Sequence, residues 1–155
     1  MARYIDEILQ PGEKLLYSTS VHWIFYSPGI FAWIVAIVAW VLERSAANEG
    51  ANIFWLALSV VAGVVGAYWC FKAWFHRWTT ETDVTSLRVV HKEGFIKRRT
   101  FEMNLDKVES VDVDQTILGR MLGYGDVTIR GVGEGAERIA TIAHPLQFRN
   151  HITAR

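Results

Sequence analysis

Two long apolar runs dominate the first half of the chain. The first covers residues 23–42 and the second residues 53–71, and the polar stretch 43–52 separates them. At about 1.5 Å rise per residue, twenty helical residues span roughly 30 Å, which is the thickness of a bilayer core. A buried helix of a soluble protein would keep a polar stripe, and neither run has one. The pattern predicts two transmembrane helices, at 23–42 and 53–75, joined by an external loop at 43–52.

The tryptophans support the placement of these runs in a membrane. All seven lie in or beside the runs: Trp23, Trp33, Trp40, Trp55, Trp69, Trp74 and Trp78. Six of them lie near the ends, where an indole keeps its ring in hydrocarbon and its N–H in the wet interface. Trp33 lies in mid-span, and we expect it to pack against the partner helix.

Small residues recur on one face of each predicted helix. They are Ala32, Ala36 and Ala39 in the first helix, and Ser59, Gly63 and Ala67 in the second. Because small side chains let two helices approach closely in lipid, these faces either close the hairpin on itself or contact another subunit. Pro28 and Gly29 indicate either a kink or the true start of the first helix.

From residue 79 onward the pattern changes to short runs of period two, rich in Val, Ile and Thr. Such alternation predicts β-strands, here at residues 79–85, 87–93, 95–103, 108–115, 124–132 and 136–143. Residues 117–122 are predicted to form a helical turn that Gly123 stops. Pro145 opens a terminal helix with Phe148 and Ile152 on its apolar side. The predicted fold class is α+β, with a small antiparallel β domain at residues 76–155.

The N-terminal segment, residues 1–22, shows the same alternation. Within residues 14–22, Leu15, Tyr17 and Thr19 alternate with a second set of side chains, which is typical of an additional strand. Small domains bury little apolar surface to offset chain entropy. We therefore expect the strand at 14–22 to pair with the C-terminal sheet.

Three segments of the C-terminal part carry a family resemblance. They are residues 88–94 (RVVHKEG), 105–113 (LDKVESVDV) and 115–125 (QTILGRMLGYG). With the two-helix anchor before them, the chain resembles the YdbS-like bacterial PH (pleckstrin-homology-like) membrane proteins. The resemblance implies a curved antiparallel sheet capped by a C-terminal helix, and a complete seven-stranded barrel requires the strand at 14–22. It supplies no catalytic residues.

The charges of the chain balance, with sixteen Lys and Arg against sixteen Asp and Glu. This neutrality argues against general nucleic-acid binding, which depends on basic residues that neutralise phosphates. A content of 51% hydrophobic residues argues against disorder. The single cysteine, Cys70, cannot form an intrachain disulfide or a thiolate metal cluster.

The positions of the basic residues predict the orientation of the hairpin. Six Lys or Arg flank the two runs on their outer sides: Arg3, Lys14, Lys72, Arg77, Arg88 and Lys92. The connection between the runs contains only Arg44. Because basic flanks are retained on the cytoplasmic side, we expect a multi-pass protein of the bacterial inner membrane with both termini in the cytoplasm.

A basic cluster surrounds the predicted turn at residues 93–94. Its members are Lys92, Lys97, Arg98 and Arg99. Basic residues near the cytoplasmic leaflet gain about 1 kcal/mol each from anionic lipid, which makes these four candidate headgroup contacts. The alternative is an ordinary solvated strand surface, since neighbouring residues of a strand point to opposite faces.

The segment 118–125 has a second candidate role. Arg120, Met121 and Tyr124 belong to residue types that are enriched at protein interfaces, so they form a candidate protein-interaction surface. The alternative is a helical turn that merely connects two strands.

Two further motifs are weak. Residues 131–136 match a loose dinucleotide-binding pattern, but a strand follows where the motif needs a helix, so a hairpin turn is predicted. Asp112 and Asp114 share one face of a strand as paired carboxylates would, with Val111 and Val113 on the other, which is ordinary inside-outside alternation. We therefore expect no cofactor, no metal ligand and no catalytic residue.

The predicted function is that of a non-catalytic inner-membrane protein. Its PH-like domain would serve protein–protein interaction or self-assembly, with membrane lipids around the helices and no nucleic acid or metal as partner. The alternative is an anionic-lipid-sensing module that acts in envelope stress or in resistance to membrane-active compounds.

Overall fold

The computed structural model describes residues 4–45, 48–95, 98–133 and 135–154. The chain divides into two compact units, named here the domain and the hairpin. The domain combines the described residues of Met1–His22 and His76–Arg155, and the hairpin is Trp23–Phe75. The hairpin is therefore an insertion into the sequence of the domain.

The described residues form five α-helices and seven strands, an α+β fold as predicted. The helices are α1 Tyr4–Ile8, α2 Ser27–Ser45, α3 Glu49–Thr79, α4 Ile117–Leu122 and α5 Pro145–Thr153. The strands are β1 Leu15–Thr19, β2 Glu81–Thr85, β3 Arg88–Glu93, β4 Arg99–Asn104, β5 Val108–Asp114, β6 Tyr124–Gly131 and β7 Gly135–Ala143.

The two helices α2 and α3 are each long and apolar enough to cross a membrane. A 3₁₀ turn at Trp23–Tyr26 precedes α2, and Pro28 lies in its first turn, where a missing N–H is tolerated. Of the two predictions for Pro28, the true helix start is thus the one found. The helix α3 begins four residues before the predicted residue 53 and continues to Thr79.

Inside the hairpin, Gly29 of α2 approaches Gly66 and Cys70 of α3 closely. A Cβ on Gly29 would lie 2.6 Å from the Cys70 Sγ, and a Cβ on Gly66 would lie 2.9 Å from the Trp33 Cδ1. Trp33 therefore packs on the partner helix, as expected. The small residues Ala36 and Ala39 of α2 are buried, whereas Gly63 of α3 makes no close approach, since a Cβ there would meet no described atom within 4 Å.

The strands of the domain form two antiparallel sheets. One has the order β1-β2-β3-β4 and the other β5-β6-β7. Strand β2 begins at Glu81, later than predicted, because α3 continues to Thr79, whose Oγ1 donates to the His76 carbonyl. Strand β4 begins at Arg99 rather than at residue 95, and residues 96–97 lie outside the described part.

The N-terminal segment completes both sheets. Within the predicted stretch 14–22, β1 pairs with β2 in the register Tyr17↔Val84 and Thr19↔Thr82. Beyond β1, the chain reaches the other sheet: the His22 N–H donates to the Thr141 carbonyl at 2.8 Å. The described strands thus give a seven-stranded, two-sheet domain whose first two strands are separated in sequence by the hairpin.

The core of the domain lies between the sheets and α5. Phe148 and Ile152 of α5 are buried as predicted, and they pack with Met103, Ile129 and Ile142 of the strands. Helix α1, which the sequence pattern did not predict, buries Ile5 completely. The apolar interior of the domain is therefore built from two separate stretches of sequence, the N-terminal segment and the part that follows the hairpin.

A buried ion pair fixes the N-terminal segment to the sheet. The Arg88 guanidinium contacts the Glu13 carboxylate at 3.2 Å and the Glu102 carboxylate at 2.8 Å, and it donates to the Ile8 carbonyl. Burial alone would raise the pKa of Glu13, but hydrogen bonds from Gln10, Thr85 and Arg88 outweigh burial and lower it. Glu13 is therefore a charged residue with a structural role.

Candidate interaction surfaces

The predicted basic cluster does not converge on one point. The Lys92 ammonium lies 4.5 Å from the centre of the Tyr4 ring, and the Arg98 guanidinium lies 5.9 Å from it, so both make cation–π contacts. Arg99 instead forms an ion pair with the Glu137 carboxylate of β7 at 2.9 Å. Lys97 lies outside the described residues.

This division lowers the charge that the cluster can offer to a ligand. Glu137 is largely buried, so its carboxylate depends on Arg99 for neutralisation. Lys92 and Arg98 remain on the side of Tyr4 and can contact an anion together. The alternation along the strand therefore separates Arg98 from Arg99, and a headgroup site at all four residues stays a prediction.

The second candidate surface is built on α4, which the flanking backbone holds firmly. The Thr116 side chain caps the helix by accepting from the Gly119 N–H at 2.9 Å. A Cβ on Gly119 would lie 2.7 Å from the Tyr124 carbonyl oxygen, so only glycine allows this approach to β6. Gly123 ends the helix with φ +76°, a conformation that glycine adopts freely.

The side chains of α4 are unusually apolar for their exposure. The exposed fractions are 81% for Ile117, 62% for Leu118 and 77% for Met121. Arg120 is also exposed and is the one charged residue of the helix. The sequence interpretation named Arg120 and Met121 but missed Ile117 and Leu118. The sequence signal for these two residues was their position directly after Thr116, the N-cap residue of the helix.

Tyr124 has a different role from Arg120 and Met121. Its ring stacks on the His22 ring, with 5.2 Å between the ring centres, and it is only partly exposed. Burial lowers the pKa of His22, and the nearby His144 and Arg77 lower it further, while a hydrogen bond with the Leu122 backbone opposes them. Tyr124 therefore connects α4 to the end of the N-terminal segment.

An exposed aromatic pair lies where the chain passes from α3 to β2. The rings of Trp78 and Phe95 stack with 5.9 Å between their centres, and about half of each side chain is exposed. Phe95 belongs to the turn between β3 and β4. This pair and α4 are two exposed apolar groups of the domain, and each lies beside one of its two connections to the hairpin.

The remaining polar candidates have structural partners. His91 is buried and bonds the Thr82 Oγ1 at 2.8 Å; burial lowers its pKa, as does Arg99, while Glu93 opposes the shift. Asp112 is exposed and pairs with Arg130 at 3.3 Å. Among the described residues, no group of three or more His, Cys, Asp or Glu could hold a metal ion.

The loose glycine motif at residues 131–136 lies in a hairpin turn. Gly131 ends β6 and pairs with Gly135 at the start of β7, while residue 134 lies outside the described part. Strand β7 follows the motif directly, where a dinucleotide site needs the N-terminus of a helix.

One comparison with known proteins gives a match. A family model described as "Bacterial PH domain" matches residues 18–155, which include most of the domain and the whole hairpin. No curated protein and no solved structure matches the chain. The finding supports the resemblance to bacterial PH proteins, whereas the YdbS-like subgroup stays a prediction.

Proposed function

The chain belongs to the bacterial PH domain family, and on this premise we propose that it is a non-catalytic protein of the inner membrane. Its PH-like domain lies in the cytoplasm and serves contacts with a protein partner or with a second copy of the chain. Domains of this family type act in general as interaction modules rather than as enzymes.

The observation that carries this proposal is the pairing of β1 with β2 across the inserted hairpin. Hydrogen-bonded strands of one sheet must lie on the same side of a membrane, so the segments before and after the hairpin share a compartment. A hairpin that crosses the membrane twice keeps the two segments on the same side, whereas a single crossing would separate them. The excess of Lys and Arg in the outer flanks then favours the cytoplasm as that compartment.

The buried polar residues of the domain support a non-catalytic role. Glu13 is neutralised by Arg88, and His91 is hydrogen-bonded to Thr82. A catalytic group needs a shifted pKa together with access to a substrate, and both of these side chains are buried within the fold.

Self-assembly is supported by a second set of small residues on α3. The hairpin uses Gly66 and Cys70 for a close contact, and Ser59, Gly63 and Ala67 lie beside this set, about 60° around the helix axis. Of these three, Ala67 is exposed and Gly63 has free space beside it. A second copy of the chain could approach closely at these residues. This is the contact with another subunit that the sequence analysis gave as the alternative to closure of the hairpin.

Anionic-lipid sensing is the second candidate function, and one observation favours it. Lys92 and Arg98 both lie over Tyr4 and can face a headgroup together, although Arg99 is held by Glu137. Under this function, replacing Lys92 and Arg98 with Gln should lower the amount of anionic lipid that the detergent-solubilised full chain binds. Under the first function, the amount of bound anionic lipid should not change.

The topology is tested by cysteine labelling in a Cys70→Ala background. Leu16→Cys in β1 and Val132→Cys after β6 are exposed sites on the two sides of the hairpin in sequence, and Glu49→Cys lies at the start of α3. An impermeant maleimide should label positions 16 and 132 only in inside-out vesicles and position 49 only in spheroplasts. Labelling of 16 and 132 from opposite sides would refute the proposal.

Self-assembly is tested by disulfide cross-linking in the same background. Gly63→Cys should form an intermolecular disulfide in membranes, whereas Val61→Cys, exposed on a different side of α3, serves as the matched control. Equal cross-linking at both positions would indicate random collision and would argue against a specific contact. Cross-linking followed by mass spectrometry on the wild-type chain identifies a different protein partner.

A further inference from the structure

We infer that α4 is a membrane-docking element whose apolar side chains enter the interfacial layer of the bilayer that the hairpin spans. The inference goes beyond a protein-interaction role and rests on the membrane placement proposed above. It assigns lipid as the partner of Ile117, Leu118 and Met121, three strongly exposed apolar side chains within one short helix.

The position of α4 along the covalent chain supports this partner. Tyr124 follows the C-cap residue of α4 and stacks on His22, and His22 is bonded directly to Trp23, where the first candidate span begins. The C-terminal end of α4 is therefore linked to the start of the candidate span through one stacked ring pair and one peptide bond.

Because Trp23 begins the candidate span, the residues just before it lie at the level of the membrane interface. A bilayer is about 40–45 Å thick with its headgroups and about 30 Å without them, so each polar layer is roughly 5–8 Å deep. A short helix held this close to Trp23 needs no further extension to reach the layer. A cytoplasmic protein partner would have to enter the same narrow space.

The chemistry of α4 fits a lipid surface. Its sequence is ILGRML, in which Arg120 is the one charge and is basic, as suits an anionic cytoplasmic leaflet. The exposed aliphatic side chains would lose contact with water in the interface. An exposed carboxylate would oppose this docking, and the helix contains none.

The helix is also fixed before it meets the bilayer. The Gln115 side chain donates to the Tyr124 carbonyl at 2.9 Å, and the His144 N–H donates to the Gly123 carbonyl at 2.8 Å. These bonds hold both ends of α4 against β6 and the start of α5. Because the apolar face is already formed, docking costs little conformational entropy.

The aromatic pair Trp78 and Phe95 gives a second, independent contact point. It adjoins the other connection of the domain to the hairpin, and stacked aromatic rings are favoured at membrane interfaces. Contacts beside both connections would limit rotation of the domain on its anchor.

The test places an environment-sensitive probe at α4 in the full chain. In a Cys70→Ala background, Met121→Cys and Leu118→Cys carry a fluorophore, and Val132→Cys is the control. Val132 is as exposed as these residues, but it follows the far end of β6, eight residues long and so roughly 25 Å from Tyr124. The chain is reconstituted in nanodiscs of phosphatidylethanolamine and phosphatidylglycerol, with and without brominated acyl chains.

Docking predicts that brominated lipid quenches the probes at 118 and 121 at least twofold more than the probe at 132. Protection of 118 and 121 from both brominated lipid and aqueous iodide would overturn the inference in favour of a protein contact, including a second copy. Quenching of these probes by iodide alone would overturn it in favour of a water-exposed helix.

One further probe separates this inference from the proposed membrane placement. Val61→Cys lies in the middle of α3 and is exposed in the hairpin. Brominated lipid should quench it strongly whether or not α4 docks. Loss of quenching at position 61 would refute the membrane placement itself, whereas loss at 118 and 121 alone refutes only the docking of α4.

Discussion

The domain and the hairpin bury opposite kinds of side chain. In the domain, large residues such as Phe148 and Met103 are fully buried. In the hairpin, the buried residues are small, such as Gly29 and Ala39, while large residues such as Phe31 are on the outside. In water, the hydrophobic effect favours burial of large apolar side chains. In lipid, these side chains can stay on the outside, and small residues allow the helix backbones to pack closely. The same chain thus follows two packing rules, which is the difference expected if water surrounds the domain and lipid surrounds the hairpin.

The largest expected effect compares two phenylalanines. Phe148→Ala removes a fully buried ring from the core of the domain and should lower its free energy of unfolding by about 3–5 kcal/mol. Phe31→Ala changes a residue that is 69% exposed in the hairpin and should leave the domain unchanged. Urea-dependent proteolysis of the full chain in nanodiscs measures both. Equal effects would contradict the proposed difference in solvent.

A polar pair inside the domain should have the next largest effect. Arg88→Met leaves the buried Glu13 carboxylate without its cation and should cost about 3 kcal/mol. Arg130→Met removes a pair with Asp112 in which both side chains are at least half exposed, and it should cost less than about 1 kcal/mol. Adding Glu13→Leu to Arg88→Met should recover part of the loss, because the unpaired charge disappears. The same proteolysis assay applies.

Two glycines of α3 test the packing rule of the hairpin. Gly66→Val places side-chain atoms against Trp33 and should destabilise the hairpin by about 1–3 kcal/mol. Gly63→Val meets open space and should leave the hairpin intact. Helix circular dichroism during titration with sodium dodecyl sulfate measures the difference. An equal loss at both positions would show that Gly66 has no special contact.

The smallest expected effect is a response of the domain to pH. The pKa values of His22 and His91 are both lowered in the folded domain, so below about pH 6.5 the unfolded chain binds protons first. Stability should therefore be constant above this pH and decrease as the pH falls below it. His91→Gln should weaken the dependence of the domain's stability on pH. The helix content of the hairpin should not change with pH in this range.

A second loss is expected at lower pH and has a separate cause. The pKa of Glu13 is lowered from 4.5, so its contribution is present above that value and is lost as the pH falls through the folded-state pKa. Glu13→Gln should remove this second decrease. If one smooth decline replaced the two steps in wild-type protein, the separate assignment to histidines and Glu13 would be wrong.

The sequence predicts the elements better than it predicts their partners. Helix α4 has the predicted bounds because Thr116 and Gly123 act locally as caps. Small residues recur four apart in two sets of α3, and the sequence analysis named the set with Gly63 and not the set formed by Ala62, Gly66 and Cys70. Which set faces α2 depends on where Gly29 and Trp33 lie in the folded hairpin. The spacing of small residues along α3 alone does not determine this.

The candidate surfaces were only partly predictable for a similar reason. Strand alternation separated Arg98 from Arg99, but it could not place Glu137, 38 residues away, beside Arg99. The interface-prone types Arg120, Met121 and Tyr124 were recognised, yet Tyr124 is committed to His22 by a contact across the fold. Exposure of Ile117 and Leu118 was missed because an apolar residue in a short helix usually indicates core packing.

The insertion of the hairpin between β1 and β2 also sets an order for biosynthesis. Sixty-one residues separate Thr19 from Glu81, so at about 5–20 residues per second β1 waits roughly 3–12 s for its partner. The hydrogen bonds of Ser20 and His22 wait longer still, until β7 is made. The domain can therefore close only after both helices of the hairpin have been synthesised. A folded domain requires that the two flanks of the hairpin lie on the same side of any membrane that it spans.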